Sequence, residues 1–193
     1  MDITFLRVGE QHSAAMVLRD DGVTIRVPGF GPGDPLPHDL AHYVVEREFG
    51  LQQGFWASVA AGAVFPGMAL LSGRRRPHAT ERAQAVIREN GPCITQAEVL
   101  VGEFVEMIRQ NRDQDSGAAL ARLMAAQSTV RCGAIPMART DLVNLCARLL
   151  DAASKWQAAA ADGHLTVHWR SPASHRLVRL QRDRRRGFVQ PTR

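Results

Sequence analysis

The sequence predicts an α+β fold: a small antiparallel sheet, made of N-terminal strands and one C-terminal strand, packed against about five to six helices. Three observations lead there. Short alternating apolar runs fill the first 27 residues, helix-period apolar stripes fill the middle, and HLTVHW at 164–169 returns to strict alternation.

Residues 3–8, 14–19 and 23–27 read as three strands. Asp20-Asp21-Gly22 between the last two is a hairpin turn signal, because glycine accepts the positive φ that such turns require. A Gly/Pro-rich loop, PGFGPGDPLP, follows; it lacks the spacing of a phosphate-binding loop. A helix is expected over 37–49, stopping near Gly50, and a second, nearly all apolar, over 54–64. RRRPH then reads as a polar loop. A third helix, 79–90, is expected to end at Asn90-Gly91-Pro92, with Thr95 and Glu98 forming the capping box of a fourth. That fourth helix carries Leu100, Phe104 and Ile108 on one face. A short helix near 117–127 and a long one over 138–160 complete the helical part; the long one aligns Leu142, Leu145, Leu149, Ala153 and Trp156. In 164–169, Leu165, Val167 and Trp169 face one way, and a second late strand near 175–181 would follow the SPAS linker. The expected organisation is one α+β domain over 1–170 and a basic, partly disordered extension over 171–193.

Composition narrows the class. The net charge is +5, yet residues 176–193 hold seven arginines and one acid, so this segment carries +6 and the rest of the chain −1. The basic character belongs to a tail, not to the body. There is one lysine among 24 basic residues, which suits a GC-rich coding bias. No apolar run approaches the ~18 residues of a membrane span, so no membrane partner is expected. MDITFLRV reads as a strand and not as a signal peptide. The odd number and wide spacing of Cys93, Cys132 and Cys146 argue against a disulfide framework and suit a reducing cytoplasm.

The chemical signal lies in PLPHDLAHYVVERE, residues 35–48. At 100° per residue, His38, His42, Glu46 and Asp39 fall at about 0°, 40°, 80° and 100°, on one flank of the helix. His-x-x-x-His is a metal-ligand spacing, since side chains four apart meet on one face. His38-Asp39-Leu40-Ala41-His42 resembles the His-Glu-x-x-His motif of zinc proteases, where the acid serves as general base on a metal-bound water. Three departures are evident: Asp39 is a methylene shorter than glutamate, Pro37 sets the motif in the first turn, and no third ligand is apparent. His38 and Glu46 are ~12 Å apart along the axis, so one ion cannot take both with His42 between them. A site must therefore use one adjacent pair and import a ligand from elsewhere, with His12, Asp34, His164 and His168 as candidates. The bland alternative is a helix start capped by Asp34, with Asp39 complementing the helix dipole and Glu46 solvated.

The run PHDLAHYVVE…GFWASVAAGAVF, within residues 35–70, resembles a family of uncharacterised proteins from GC-rich bacteria. The resemblance implies a bacterial, cytoplasmic protein and carries no catalytic assignment.

Three functions are compatible with these residues. The leading expectation is a small cytoplasmic binding or accessory protein, without its own catalysis, acting through a protein partner. The second is a metal-dependent hydrolase holding a divalent ion such as zinc on His38 and His42, with Asp39 or Glu46 as catalytic base. The third is nucleic-acid or anion binding through Arg182, Arg184, Arg185 and Arg186 of the tail.

Overall fold

The computed structural model describes residues 1–8, 12–29, 36–74, 76–109, 121–125, 132, 135–159 and 163–170. The sheet is α+β in its setting and antiparallel throughout. Strands β1 (Asp2–Val8), β2 (His12–Leu18), β3 (Thr24–Pro28), β4 (Ala69–Ser72) and β5 (His164–His168) lie in the order β4-β3-β2-β1-β5. The alternation expected of the first strands fixes the register. Val167, Ile3, Val17 and Ile25 lie side by side in one inward row, with Leu165, Phe5, Ala15 and Val27 in the next. A one-residue slip would turn both rows to solvent. Gly22 takes φ +80° in the turn between β2 and β3, and Arg19 and Val23 close the hairpin with a 3.0 Å backbone hydrogen bond.

The helices are α1 (His38–Phe49), α2 (Phe55–Ala60), α3 (Ala79–Arg109) and α4 (Arg139–Ala158), with a further helical segment over 121–125. Their apolar faces and the inner rows of the sheet form one core, in which Trp56 meets Phe5 edge-on at 6.0 Å. Leu142, Leu145, Leu149 and Trp156 of α4 are buried as their spacing requires. Gly50 ends α1 in the left-handed conformation, φ 62°, and its N–H returns to Arg47. Among the described residues no helix is long and apolar enough to cross a membrane.

Three expectations change. The stop at Asn90-Gly91-Pro92 does not end a helix: α3 runs unbroken for 31 residues with Pro92 inside it. Proline here costs one helical hydrogen bond, from its missing N–H. Tertiary contacts outweigh that cost, because Ala83, Ala97, Leu100, Val101 and Phe104 on both sides are buried. The Asn90 side chain, instead of capping, is buried and donates to Ser58 Oγ at 2.9 Å. Thr95 therefore caps nothing; its hydroxyl donates to the Gly91 carbonyl one turn back, at 3.0 Å. The apolar helix expected over 54–64 shortens to six residues and ends at Ala61 and Gly62, where φ is +113°. The chain then makes β4, a strand absent from the sequence reading because all four of its residues are exposed and show no alternation.

The cysteines also differ from expectation. Cys93 and Cys132 form a disulfide, with Cα atoms 5.0 Å apart, and Cys146 is buried and not part of a disulfide. Sequence spacing does not reveal such a pair, because the two cysteines stand 39 positions apart in the chain. The second late strand, near 175–181, and the tail lie outside the described residues.

Candidate metal centre

Helix α1 is buried on most of its circumference, and its buried residues include Asp39, His42 and Glu46. Three ionisable side chains inside a core are costly unless each is paired, so their arrangement calls for an explanation in chemistry. His38, His42 and Glu46 follow at four-residue intervals and stack on one face.

Glu46 is the innermost, with no exposed surface. Its carboxylate sits at the start of α2. Oε1 accepts the Phe55 N–H at 2.8 Å, and Oε2 accepts the Trp56 N–H at 3.0 Å. Oε1 also lies 3.1 Å from His42 Nδ1. The approach requires Gly54: a Cβ there would stand 2.5 Å from the Glu46 Cδ and Oε2 atoms. The Trp56 indole N–H in turn donates to the Asp39 carbonyl at 2.9 Å, and the Phe55 ring lies 5.6 Å from that of His42. Thus the GFW tripeptide serves α1: glycine admits the carboxylate, two amides hold it, and the indole ties back to the helix.

With Nδ1 directed at Glu46, His42 points Nε2 the other way. There it meets His38 Nε2 at 3.2 Å and Glu98 Oε2 at 3.1 Å, while His38 Nε2 and Glu98 Oε2 are also 3.1 Å apart. Three donor atoms from two helices thus form a nearly equilateral triangle. Ligands about 2.0–2.2 Å from a tetrahedral zinc are separated by about 3.3–3.6 Å, so the triangle is one slightly contracted face of such a tetrahedron. His38, His42 and Glu98 form a group able to hold a metal ion among the described residues. His42 is 1% exposed, His38 is a third exposed and Glu98 about half, so the triangle opens outward on one side.

Electrostatics follow this layout. Burial opposes a charge on His42, but the hydrogen bonds to Glu46 and Glu98, with their negative charges, outweigh it and raise its pKa to about 9. The Glu98 carboxyl is held well below the usual range by hydrogen bonds from His38 and His42, against partial burial. Asp39 behaves oppositely: burial pushes its carboxyl up to about 6, although the nearby His42 and His38 pull it down.

Of the residues singled out from the sequence, His38 and His42 come together and Asp39 lies buried beside them. Glu46 lies behind His42 with both oxygens occupied, not on the open side. His168 is elsewhere, paired with Asp2 on the sheet at 2.6 Å, and His164 and His12 are strand-end residues. Asp34, Arg182, Arg184, Arg185 and Arg186 fall outside the described residues, and α1 begins after Pro37 without a side-chain cap. Glu98, Gly54, Phe55 and Trp56 were not foreseen as parts of a site. Comparison with protein-family models, curated proteins and solved structures finds no match to the chain.

Proposed function

We propose that this protein is a metal-dependent hydrolase of the zinc type, with His38, His42 and Glu98 as ligands. The observation that carries the reading is the triangle of donor atoms at 3.1, 3.1 and 3.2 Å. Two histidines and one glutamate are a ligand set of catalytic zinc sites, which keep a fourth position for water or substrate. A metal held there would polarise a carbonyl or phosphoryl oxygen and make water acidic near neutrality. The rest is the work of this chain's own residues. Glu46 accepts at His42 Nδ1, so that Nε2 is the nitrogen left to bind a metal once it gives up its proton, as carboxylates behind ligating histidines arrange. Asp39, 5% exposed with its pKa raised to about 6, is the carboxyl suited to carry a proton between solvent and substrate near neutral pH. Glu46 is the weaker candidate for base, since both its oxygens already accept backbone N–H groups.

The deciding experiment measures metal in protein purified without chelator, for the natural sequence, His42→Ala and Glu98→Gln. It is followed by hydrolysis of nitrophenyl esters and phosphates with and without added zinc. Near-stoichiometric metal, lost in both variants, together with chelator-sensitive hydrolysis supports the proposal. Failure to take up zinc, manganese or iron refutes the metal centre. Stoichiometric metal without hydrolysis of any substrate leaves a metal-stabilised accessory protein, acting through a protein partner.

A cytoplasmic location rests on the sequence reading alone, and the Cys93–Cys132 pairing weighs against a reducing compartment. Thiol titration of protein denatured directly from cells decides between them: three free thiols favour the cytoplasm, one favours an oxidising compartment. Nucleic-acid binding through Arg182, Arg184, Arg185 and Arg186 is a separate proposal. Its test is steeply salt-dependent binding that disappears when residues 176–193 are deleted.

A further inference from the structure

A cleft of about 400 Å3 lies between the β2–β3 turn, the end of α2 and the first turn of α3. Its wall includes Arg19, Arg76 and Arg82, over an apolar floor to which Val23, Val64 and Leu70 contribute. It is remote from the metal centre: Arg82 and Glu98 are 16 residues apart on one helix, about 24 Å along its axis.

Arg19 is the unusual member. Its side chain is 10% exposed, and its Nε and Nη2 both bind the Asp21 carboxylate. The remaining nitrogen, Nη1, is buried and has no hydrogen-bond partner among the described residues. It lies 3.8 Å from where a Cβ on Gly62, another lining residue, would stand. A buried guanidinium N–H without an acceptor is unfavourable, and an oxygen supplied by a ligand would satisfy it. The surroundings favour an anionic oxygen. The cleft reaches Ala79, the first residue of α3, where the helix dipole is positive. Arg76 and Arg82 flank that end and are exposed, hence free to close on a ligand. The two acids present are already engaged: Asp21 with Arg19, and Asp20 with the terminal amine at 2.9 Å.

We infer that this cleft binds a small phosphate monoester, its phosphate held by Arg19 Nη1, Arg76, Arg82 and the start of α3, its organic part on the apolar floor. The volume lies within the range of ligand pockets, toward the small end. Two charges on the ligand answer the surplus of guanidinium groups better than one, so a phosphate is favoured over a carboxylate.

Titration calorimetry with phenyl phosphate, benzoate and inorganic phosphate tests this, on the full chain before and after treatment with chelator. Phenyl phosphate is expected to bind in the submillimolar range, more tightly than inorganic phosphate or benzoate, with chelator making no difference. Arg76→Gln/Arg82→Gln should weaken it by at least about tenfold while leaving the melting temperature of the free protein nearly unchanged. Arg19→Met should abolish it; should that variant fail to fold, the exposed pair still decides. No binding at about 10 mM, an unchanged affinity in the double variant, or binding that vanishes with chelator would each overturn the assignment. Tighter binding of benzoate would overturn the phosphate specificity.

Discussion

Replacing Glu46 by glutamine tests the centre without touching a proposed ligand. The carboxylate receives three hydrogen-bond contacts, from Phe55 N at 2.8 Å, Trp56 N at 3.0 Å and His42 Nδ1 at 3.1 Å. Glutamine has one acceptor oxygen, and its amide nitrogen must face at least one of these donors. Either an amide of α2 or the imidazole then loses its acceptor inside the core. Hydrogen bonds to a charged group contribute about 1.5–3 kcal/mol each, so the variant should lose about 2–4 kcal/mol of stability. The effect on metal has its own size. Loss of a carboxylate behind a ligating histidine lowers metal affinity about 10- to 100-fold, or about 1.4–2.7 kcal/mol. Competition against a chromophoric chelator at pH 7.5 reads the second effect, and denaturant unfolding of the chelated protein reads the first. A destabilised Glu46→Gln that binds zinc as tightly as the natural sequence would refute the positioning role. Glu46 would then be a cap for α2 and nothing more.

Three other outcomes are expected. Gly54→Ala places a Cβ 2.5 Å from the Glu46 carboxyl and must displace it by about 1 Å, so zinc affinity should fall as in Glu46→Gln, with a stability loss of about 2–3 kcal/mol by unfolding. Gly91→Ala, by contrast, lies inside α3 with open space around the added methyl, and should be neutral or stabilising by up to about 1 kcal/mol; a clear loss would mean that the helix breaks there as the sequence suggests. In the metal-free protein, His42 has a folded pKa raised to about 9, so its contribution is full below its unfolded pKa near 6.5 and is lost as pH rises through 9. That amounts to at most about 3 kcal/mol; zinc keeps His42 neutral, so the melting-temperature gap between zinc-loaded and metal-free protein should widen from pH 6.5 to 9.5, and a constant gap would contradict the ligand role.

Much of the fold was legible because burial dictates it. The alternation of β1 to β3 and β5 and the stripe of α4 are direct images of the core they face. What escaped was set by contacts distant in sequence. Asn90-Gly91-Pro92 carries a strong local stop signal, but the buried residues before and after it hold α3 on the core as one piece. Strand β4 pairs with β3 through its backbone, and backbone pairing leaves no mark on exposed side chains.

The site shows the same division at the scale of single side chains. The spacing of His38, His42 and Glu46 on α1 was readable, and axial distance alone excluded Glu46 and His38 as ligands of one ion. The third proposed ligand could not be read, because Glu98 is one exposed glutamate among several on α3 and only the packing of α3 on α1 brings it to His38 and His42. Yet the role of Glu46 follows from the same exclusion. A carboxylate one turn beyond a ligating histidine is too far to reach the ion and well placed to reach the far nitrogen of that histidine. Buried there, it needs further donors, and a short helix preceded by glycine supplies two amides without steric obstruction. HDLAH, the glutamate four residues on, and GFW are therefore parts of one requirement: holding a single imidazole with its Nε2 turned toward Glu98.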